Sequence, residues 1–356
     1  MNSFGTYYRL TSFGESHGPA IGGVIDGVPA GIAIDMEAVR TAMERRSPRS
    51  VSGATTRREP DTVEFLSGIY EGRTLGTPIG FIIRNTDARP QDYPDADGPL
   101  RPNHADYTYL CRYGLRDPRG GGRASARETA CRVVAGAIAA AILADKGIAV
   151  RAWTESIGTV SAGVPDGSIP SDDDIFSSPV RCPQPDKSRE MEAALDRARR
   201  DSDTLGGIVR CVVTGLPAGI GDPVGDKLQA RLAAAMMSIP AAKGFDYGDG
   251  FAAAAMRGSE HCDLFTTGAD GSIRTATNHS GGIQGGISNG APVAMRVAFK
   301  PIASMPGREV STVDASGRPC TLRLSGRHDV CAVPRAVSVV RAMAAMTILD
   351  ALLAPR

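Results

Sequence analysis

Apolar residues recur along this chain with two spacings, one helical and one alternating. A helical pattern runs from Met36 to about Arg46 with Asp35 placed to cap it, and another from about Ser125 to Lys146, closed by Gly147 at the usual stop position. Further helical patterns cover Ser188 to Arg200, Gly225 to Met237 and Arg335 to Leu353. Strand-like runs lie at Ile21 to Ile25, Val63 to Tyr70, Ile79 to Ile83, Ile148 to Ile157, Ile208 to Thr214 and Pro292 to Phe299. These runs often follow one another without an intervening helix, which suits antiparallel pairing better than a repeated βαβ crossover and predicts an α+β fold. No linker, low-complexity tail or fixed-period repeat interrupts the pattern, so residues 1–356 read as a single domain.

Composition narrows the functional class. Hydrophobic residues make up 42% and charged residues 22%, the balance of a soluble globular protein. A formal net charge of +1 gives no overall field for nucleic acid or an acidic membrane, so neither is an expected partner. The longest apolar stretch, Val133 to Ala144, is too short to span a bilayer, and the start MNSFGTYYRL lacks the pattern of a signal peptide. Seven scattered cysteines without a C-x-x-C pair argue against a disulfide framework or zinc site and for a reducing compartment, so a cytoplasmic protein is expected. No metal is expected either: H-E-x-x-H and a calcium-loop ladder are absent. A strand-linked G-x-G-x-x-G and the Walker pattern are missing too, which disfavours standard dinucleotide and NTP sites.

The basic residues are concentrated rather than spread. Five arginines fall between Arg112 and Arg127 around Gly120, Gly121 and Gly122, directly before the longest apolar helix pattern. Glycines let backbone amides approach a ligand, a helix start directs N–H groups at it, and arginine adds bidentate hydrogen bonding, so the segment should bind an anion. Its plainer reading is a surface helix start, with Ser125 and Glu128 at capping-box spacing. A second glycine-rich run, Gly281 to Gly290, is followed by Lys300-Pro-Ile-Ala-Ser304. With Arg45, Arg46, Arg57, Arg58, Arg101 and Arg327, these segments describe a site for more than one anionic group. Of the five histidines, His17 and His104 are the best candidates for general acid work, because polar loops expose the ring and adjacent charges tune it. His328 can equally stabilise a turn beside Asp329, and His261 has no supporting context. Gly14-Glu-Ser-His-Gly18 superficially fits G-x-S-x-G, but no helix follows it and a hydrolase elbow is disfavoured.

In order along the chain, Phe13-Gly-Glu-Ser-His-Gly18, Arg58-Glu-Pro-Asp61, Arg101-Pro-x-His-Ala-Asp106, Tyr113-Gly-Leu-Arg-Asp-x-Arg-Gly-Gly-Gly122, Ser125-Ala-Arg-Glu-Thr129, Asn278-His-x-Gly-Gly-Ile-x-Gly-Gly-Ile-Ser288 and Gly326-Arg-His-Asp329 resemble the chorismate synthase family, from about Tyr7 to Leu353. The resemblance implies a lyase that makes chorismate from 5-enolpyruvylshikimate 3-phosphate by an anti 1,4-elimination of phosphate. It requires reduced FMN without net redox change, with NADPH involved only indirectly as a source of reducing equivalents. The implied fold is a β-α-β sandwich with helices packed between antiparallel sheets, and the implied assembly is a homotetramer.

By the same resemblance, His17 protonates reduced flavin, His104 assists phosphate departure and Asp329 relays the proton near flavin N5. Arg46, Arg101, Arg127 and Arg327 hold the substrate's anionic groups. FMN contacts fall at Arg123, Ala124 and Ser125, at Pro240 and Ala241, at Gly285, along Lys300, Pro301, Ile302, Ala303 and Ser304, and at Arg327. Three positions depart from the family pattern: Ala124 replaces a common serine, Ser52 an arginine of many bacterial members, and Arg341 a glutamate of the C-terminal signature. Charge reversal at Arg341 is expected to disturb the surroundings of Arg327 and Asp329, and with Ala124 it motivates a second reading, a flavin-binding or assembly protein with impaired catalysis. The lack of a nicotinamide fingerprint predicts the kind of enzyme that takes reduced flavin from outside.

Overall fold

The computed structural model describes residues 1–54, 60–87, 98–117, 119–305, 307–323 and 329–355. Two five-stranded antiparallel sheets enclose a helical layer. The first contains β1 (Ser3–Phe4), β2 (Arg9–Phe13), β3 (Ala20–Asp26), β4 (Val63–Phe65) and β5 (Ile79–Arg84) in the order β1-β2-β3-β5-β4. The second contains β6 (Ala149–Ile157), β7 (Val160–Ser161), β8 (Gly207–Thr214), β9 (Ala242–Tyr247) and β10 (Val293–Phe299) in the order β9-β10-β8-β6-β7. In β10 the period-2 pattern buries Val293, Met295, Val297 and Phe299 and leaves Ala294, Arg296 and Ala298 half exposed. Each such buried side chain contributes about 1.5–3 kcal/mol of transfer free energy. Val297 opposes Val209 of β8, so the two strands bury the same face.

The helices are α1 (Met36–Arg46), α2 (Asp106–Tyr113), α3 (Thr129–Ala144), α4 (Asp172–Phe176), α5 (Pro185–Arg200), α6 (Leu228–Met237) and α7 (Val333–Leu352). Asp35 caps α1 as expected, its carboxylate accepting from the amides of Glu37 at 2.9 Å and Ala38 at 3.1 Å. The alanine-rich α3 packs along α7, with α3 towards the first sheet and α7 towards the second. Gly136 makes that approach possible: a Cβ there would lie 2.3 Å from the Ala342 Cβ and 2.4 Å from its Cα. At the other end of α7, buried Asp350 accepts from the amides of Thr6 (3.0 Å), Tyr7 (2.6 Å) and Tyr8 (2.7 Å) and pairs with Arg231. Among the described residues no helix is long and apolar enough to cross a membrane.

Several element boundaries differ from the sequence reading. The run from Val63 to Tyr70 is two strands, because Gly68 takes φ +79° and turns the chain. Val63–Phe65 stays in the first sheet, while Ile69–Tyr70 pairs with Arg73–Thr74 in a separate hairpin. The helix expected from Ser125 begins at Thr129, after two 3₁₀ turns at Gly122–Ala124 and Ala126–Glu128. The Ser125 hydroxyl accepts from the Arg127 amide at 3.3 Å rather than from the Glu128 amide, and the Glu128 carboxylate accepts from Ser12 at 3.0 Å and Arg132 at 3.0 Å. The capping box is therefore not closed. Helix α2 and strands β2 and β9 had no counterpart in the periodicity.

Candidate active site

The starts of α2, α3 and α7 meet the segments Ser238–Ala241 and Lys300–Ser304 around one cleft of about 730 Å³. Its size falls within the range of small-molecule sites, roughly 300–1,000 Å³. Arg46, Arg101, Arg123, Arg127, Arg132, Arg335 and Lys300 line it, against the carboxylates of Glu128 and Asp329. The wall is therefore cationic although the chain is nearly neutral.

Two buried aspartates hold the arginines in place. Asp61 accepts from Arg46 at 2.9 Å through one oxygen and pairs with Arg127 through the other, with all three side chains at most 5% exposed. Arg46 also donates to the Ala126 carbonyl at 3.0 Å, and Arg127 to Asn85 at 2.9 Å. Burial pushes the Arg46 guanidinium down to about 10, and Asp61 opposes that shift. At the start of α2, Asp106 accepts from Arg101 at 2.8 and 2.7 Å and from the His104 ring at 3.0 Å, and Arg116 lies 3.2 Å away. Burial works against ionisation of Asp106, but hydrogen bonds from Arg101 and His104 hold its carboxyl well below the usual aspartate range. Removing either aspartate would leave buried guanidinium groups uncompensated.

The glycine-rich turn does two things. Arg123 reaches back to donate to the Ser12 hydroxyl at 2.7 Å and to the carbonyls of Ser12 and Gly14 at 3.3 Å. Gly120 makes room for His17: a Cβ there would sit 2.3 Å from the His17 Nδ1. Arg335 from the first turn of α7 donates to Asp329 at 2.8 Å. Burial, with Lys243 nearby, lowers the Lys300 ammonium below its ordinary value.

The cleft brings together His104, Asp329, Arg46, Arg101, Arg127, Arg123, Ala124, Ser125, Pro240, Ala241, Lys300, Ile302, Ala303 and Ser304. His17 and Pro301 lie outside its lining, as does Gly285, in the tight turn between Ile283–Gln284 and Ile287–Ser288. Arg57, Arg58, Arg327 and His328 lie outside the described residues. Sequence reasoning assigned no role to Asp61, Asp106, Arg132 or Arg335. The first two stand in the arginine-bearing motifs themselves, and a buried arginine's need for a carboxylate was the signal that could have found them.

The departures fall differently from the expectation. Arg341 does not meet Asp329; it donates to Asp172 at 2.9 Å, beside Arg45 and Arg151. Ser52 is outside the cleft lining, its amide bonded to the Pro179 carbonyl at 2.7 Å. Ala124 does line the cleft. Among the described residues no three metal-ligating side chains gather.

The wall suits a flavin phosphate and ring. Arg123, the Ser125 hydroxyl, Lys300 and Ser304 supply donors, while Pro240, Ile302, Ala332, Met343 and Met346 supply apolar surface. An antiparallel sandwich carrying a cleft with arginines, an imidazole and a carboxylate has the equipment of a lyase that expels an anionic group. The chain belongs to the chorismate synthase family, a family of flavin-using lyases: the family model described as chorismate synthase matches residues 8–353. A chorismate synthase of Christiangramia forsetii is 54% identical over 349 residues, covering 98% of this chain and 96% of that protein. One from Phocaeicola vulgatus is 52% identical over 350 residues, covering 98% and 97%. A crystal structure of chorismate synthase superposes with a TM-score of 0.78 at 30% identity, covering 98% of this chain and 92% of that one.

Proposed function

We propose that this cleft binds reduced FMN together with 5-enolpyruvylshikimate 3-phosphate and carries out the anti 1,4-elimination that yields chorismate and phosphate. The observation that carries the reading is the opening of Arg46, Arg101, Arg123, Arg127, His104 and Asp329 into one cavity. Reduced FMN, when bound, supplies electron density to a substrate that loses a proton from an unactivated carbon. Arg46, Arg101 and Arg127 orient the substrate's carboxylates and phosphate through charge-assisted hydrogen bonds. His104 gives its imidazolium proton to a phosphate oxygen as the C–O bond breaks, and that bond's electron pair leaves with the phosphate. Asp329, oriented by Arg335, moves the proton taken from the substrate. His17, packed on Gly120 behind the lining, holds a proton for the flavin.

The same reading takes residues 1–356 as one domain, supported by the shared helical layer between the sheets. It makes the protein cytoplasmic, supported by seven cysteines that stand as free thiols. It makes the assembly a homotetramer, supported by Phe251, Leu264, Phe265 and Ile273, large apolar side chains left exposed. NADPH enters only as a remote source of reducing equivalents. The impaired binding-module reading loses one motive, since Arg341 stands away from the cleft.

The test is anaerobic turnover of the purified protein with 5-enolpyruvylshikimate 3-phosphate and chemically reduced FMN. Chorismate and phosphate are expected in equal amounts, and ligand binding without product would reject the reading. Sustained NADPH oxidation with FMN would reject the external source of reduced flavin. Sedimentation would decide the tetramer.

A further inference from the structure

We infer that Asp106 is a positioning residue for the reaction: its carboxylate fixes His104 in the tautomer with hydrogen on Nδ1, so that Nε2 is the atom that surrenders the proton. This rests on the reading of His104 as the acid. Asp106 is the first residue of α2 and only 4% exposed. One of its oxygens, Oδ1, meets His104 Nδ1 at 3.0 Å, Arg101 Nη2 at 2.7 Å and Arg116 Nη1 at 3.2 Å. The other, Oδ2, accepts from Arg101 Nε at 2.8 Å and from the Arg101 amide at 3.1 Å.

A carboxylate with two guanidinium groups and a helix start around it stays ionised and can only accept. The hydrogen between His104 and Asp106 therefore belongs to Nδ1. When the ring is charged, Nε2 carries the second hydrogen. Its transfer to a phosphate oxygen leaves the neutral ring in the tautomer that Asp106 already holds, so proton delivery requires no ring flip. The loop is preset for this arrangement: Asn103 takes φ +58° and the His104 amide bonds the Arg101 carbonyl at 3.2 Å. One carboxylate thus orients both a substrate-binding arginine and the acid beside it.

Asparagine separates this role from plain support of the loop. Its carbonyl oxygen keeps the Oδ1 position, because an NH₂ there would face the Arg101 and Arg116 guanidinium groups, so it still accepts from Nδ1–H but offers the ring a neutral partner in place of an anion. The experiment is ¹⁵N NMR of the full-length protein labelled at histidine, with the His104 signals assigned by His104→Gln, paired with kcat and KM for Asp106→Asn. The neutral wild-type ring is expected to carry hydrogen on Nδ1. Asp106→Asn should weaken the preference for Nδ1 and lower kcat by roughly 10²-fold or more, while a rise in KM reports the loosened Arg101 separately.

An Nε2–H ring in a wild-type enzyme that depends on His104 overturns the inference alone, and that measurement needs no folded Asp106 variant. An asparagine variant that keeps the wild-type kcat also overturns it. Normal turnover by His104→Gln instead removes the acid reading on which the inference stands.

Discussion

Arg341 donates to Asp172 at 2.9 Å, and the same carboxylate is met by Arg45 at 3.0 Å and Arg151 at 3.2 Å. Three cations therefore share one anion, outside the cleft. A glutamate at position 341 would stand beside Asp172 with two arginines remaining for two carboxylates. Arg341→Glu is expected to leave kcat and KM within about twofold and folding stability within roughly 1 kcal/mol, as for other partly exposed pairs. A collapse of turnover in a well-folded variant would reinstate a link between Arg341 and the site.

The same cluster has a pH signature. Burial works against ionisation of Asp172, while Arg341, then Arg151 and Arg45, lower its pKa below the ordinary aspartate value. A depressed folded-state pKa means that the unfolded chain takes up the proton first. The stabilisation is therefore present above about pH 4 and disappears as pH falls through the folded-state value. Urea midpoints for wild type and Arg341→Ala should differ at pH 7 and draw together as the pH falls through the folded-state value. A constant difference across that range would contradict the pairing.

His104→Ala and Asp329→Ala should each reduce turnover by roughly 10²- to 10⁴-fold while circular dichroism and melting stay close to wild type. Rates near normal would strip either residue of its role.

Gly136 and Ala342 set the distance between α3 and α7. Gly136→Ala should destabilise the fold by about 1–3 kcal/mol through overpacking, read as a lower urea midpoint. Ala342→Gly should not rescue it, because the Ala342 Cα lies almost as close as the Cβ to the added methyl. An unchanged midpoint would show that the helices separate freely.

Much of this architecture was legible because periodic burial and local capping act within a few residues. Asp35 and the spacing from Met36 to Arg46 suffice for α1, and alternation suffices for β10. Helix α2 was hidden because its amphipathic run is only eight residues long and opens with Asp106, read as part of a loop motif. The capping box at Ser125 failed because Glu128 bonds Ser12, more than a hundred residues earlier. Asp61 joins Arg46, 15 residues before it, to Arg127, 66 residues after it, a relation that no local spacing encodes. Motif resemblance reached most of the cleft residues, yet it could not say which way Arg341 points, since Asp172 comes from an unrelated segment.

Asp350 ties one edge of the cleft to the far end of the helical layer. Met1 to Phe4 form part of its rim, and the segment leading from them is tied at Thr6, Tyr7 and Tyr8 to a carboxylate near the end of α7. The two partners lie more than 340 residues apart along the chain. A substitution at Asp350, far from every reacting group, would therefore be felt at the rim of the cleft as a loosened edge rather than as a lost contact to substrate.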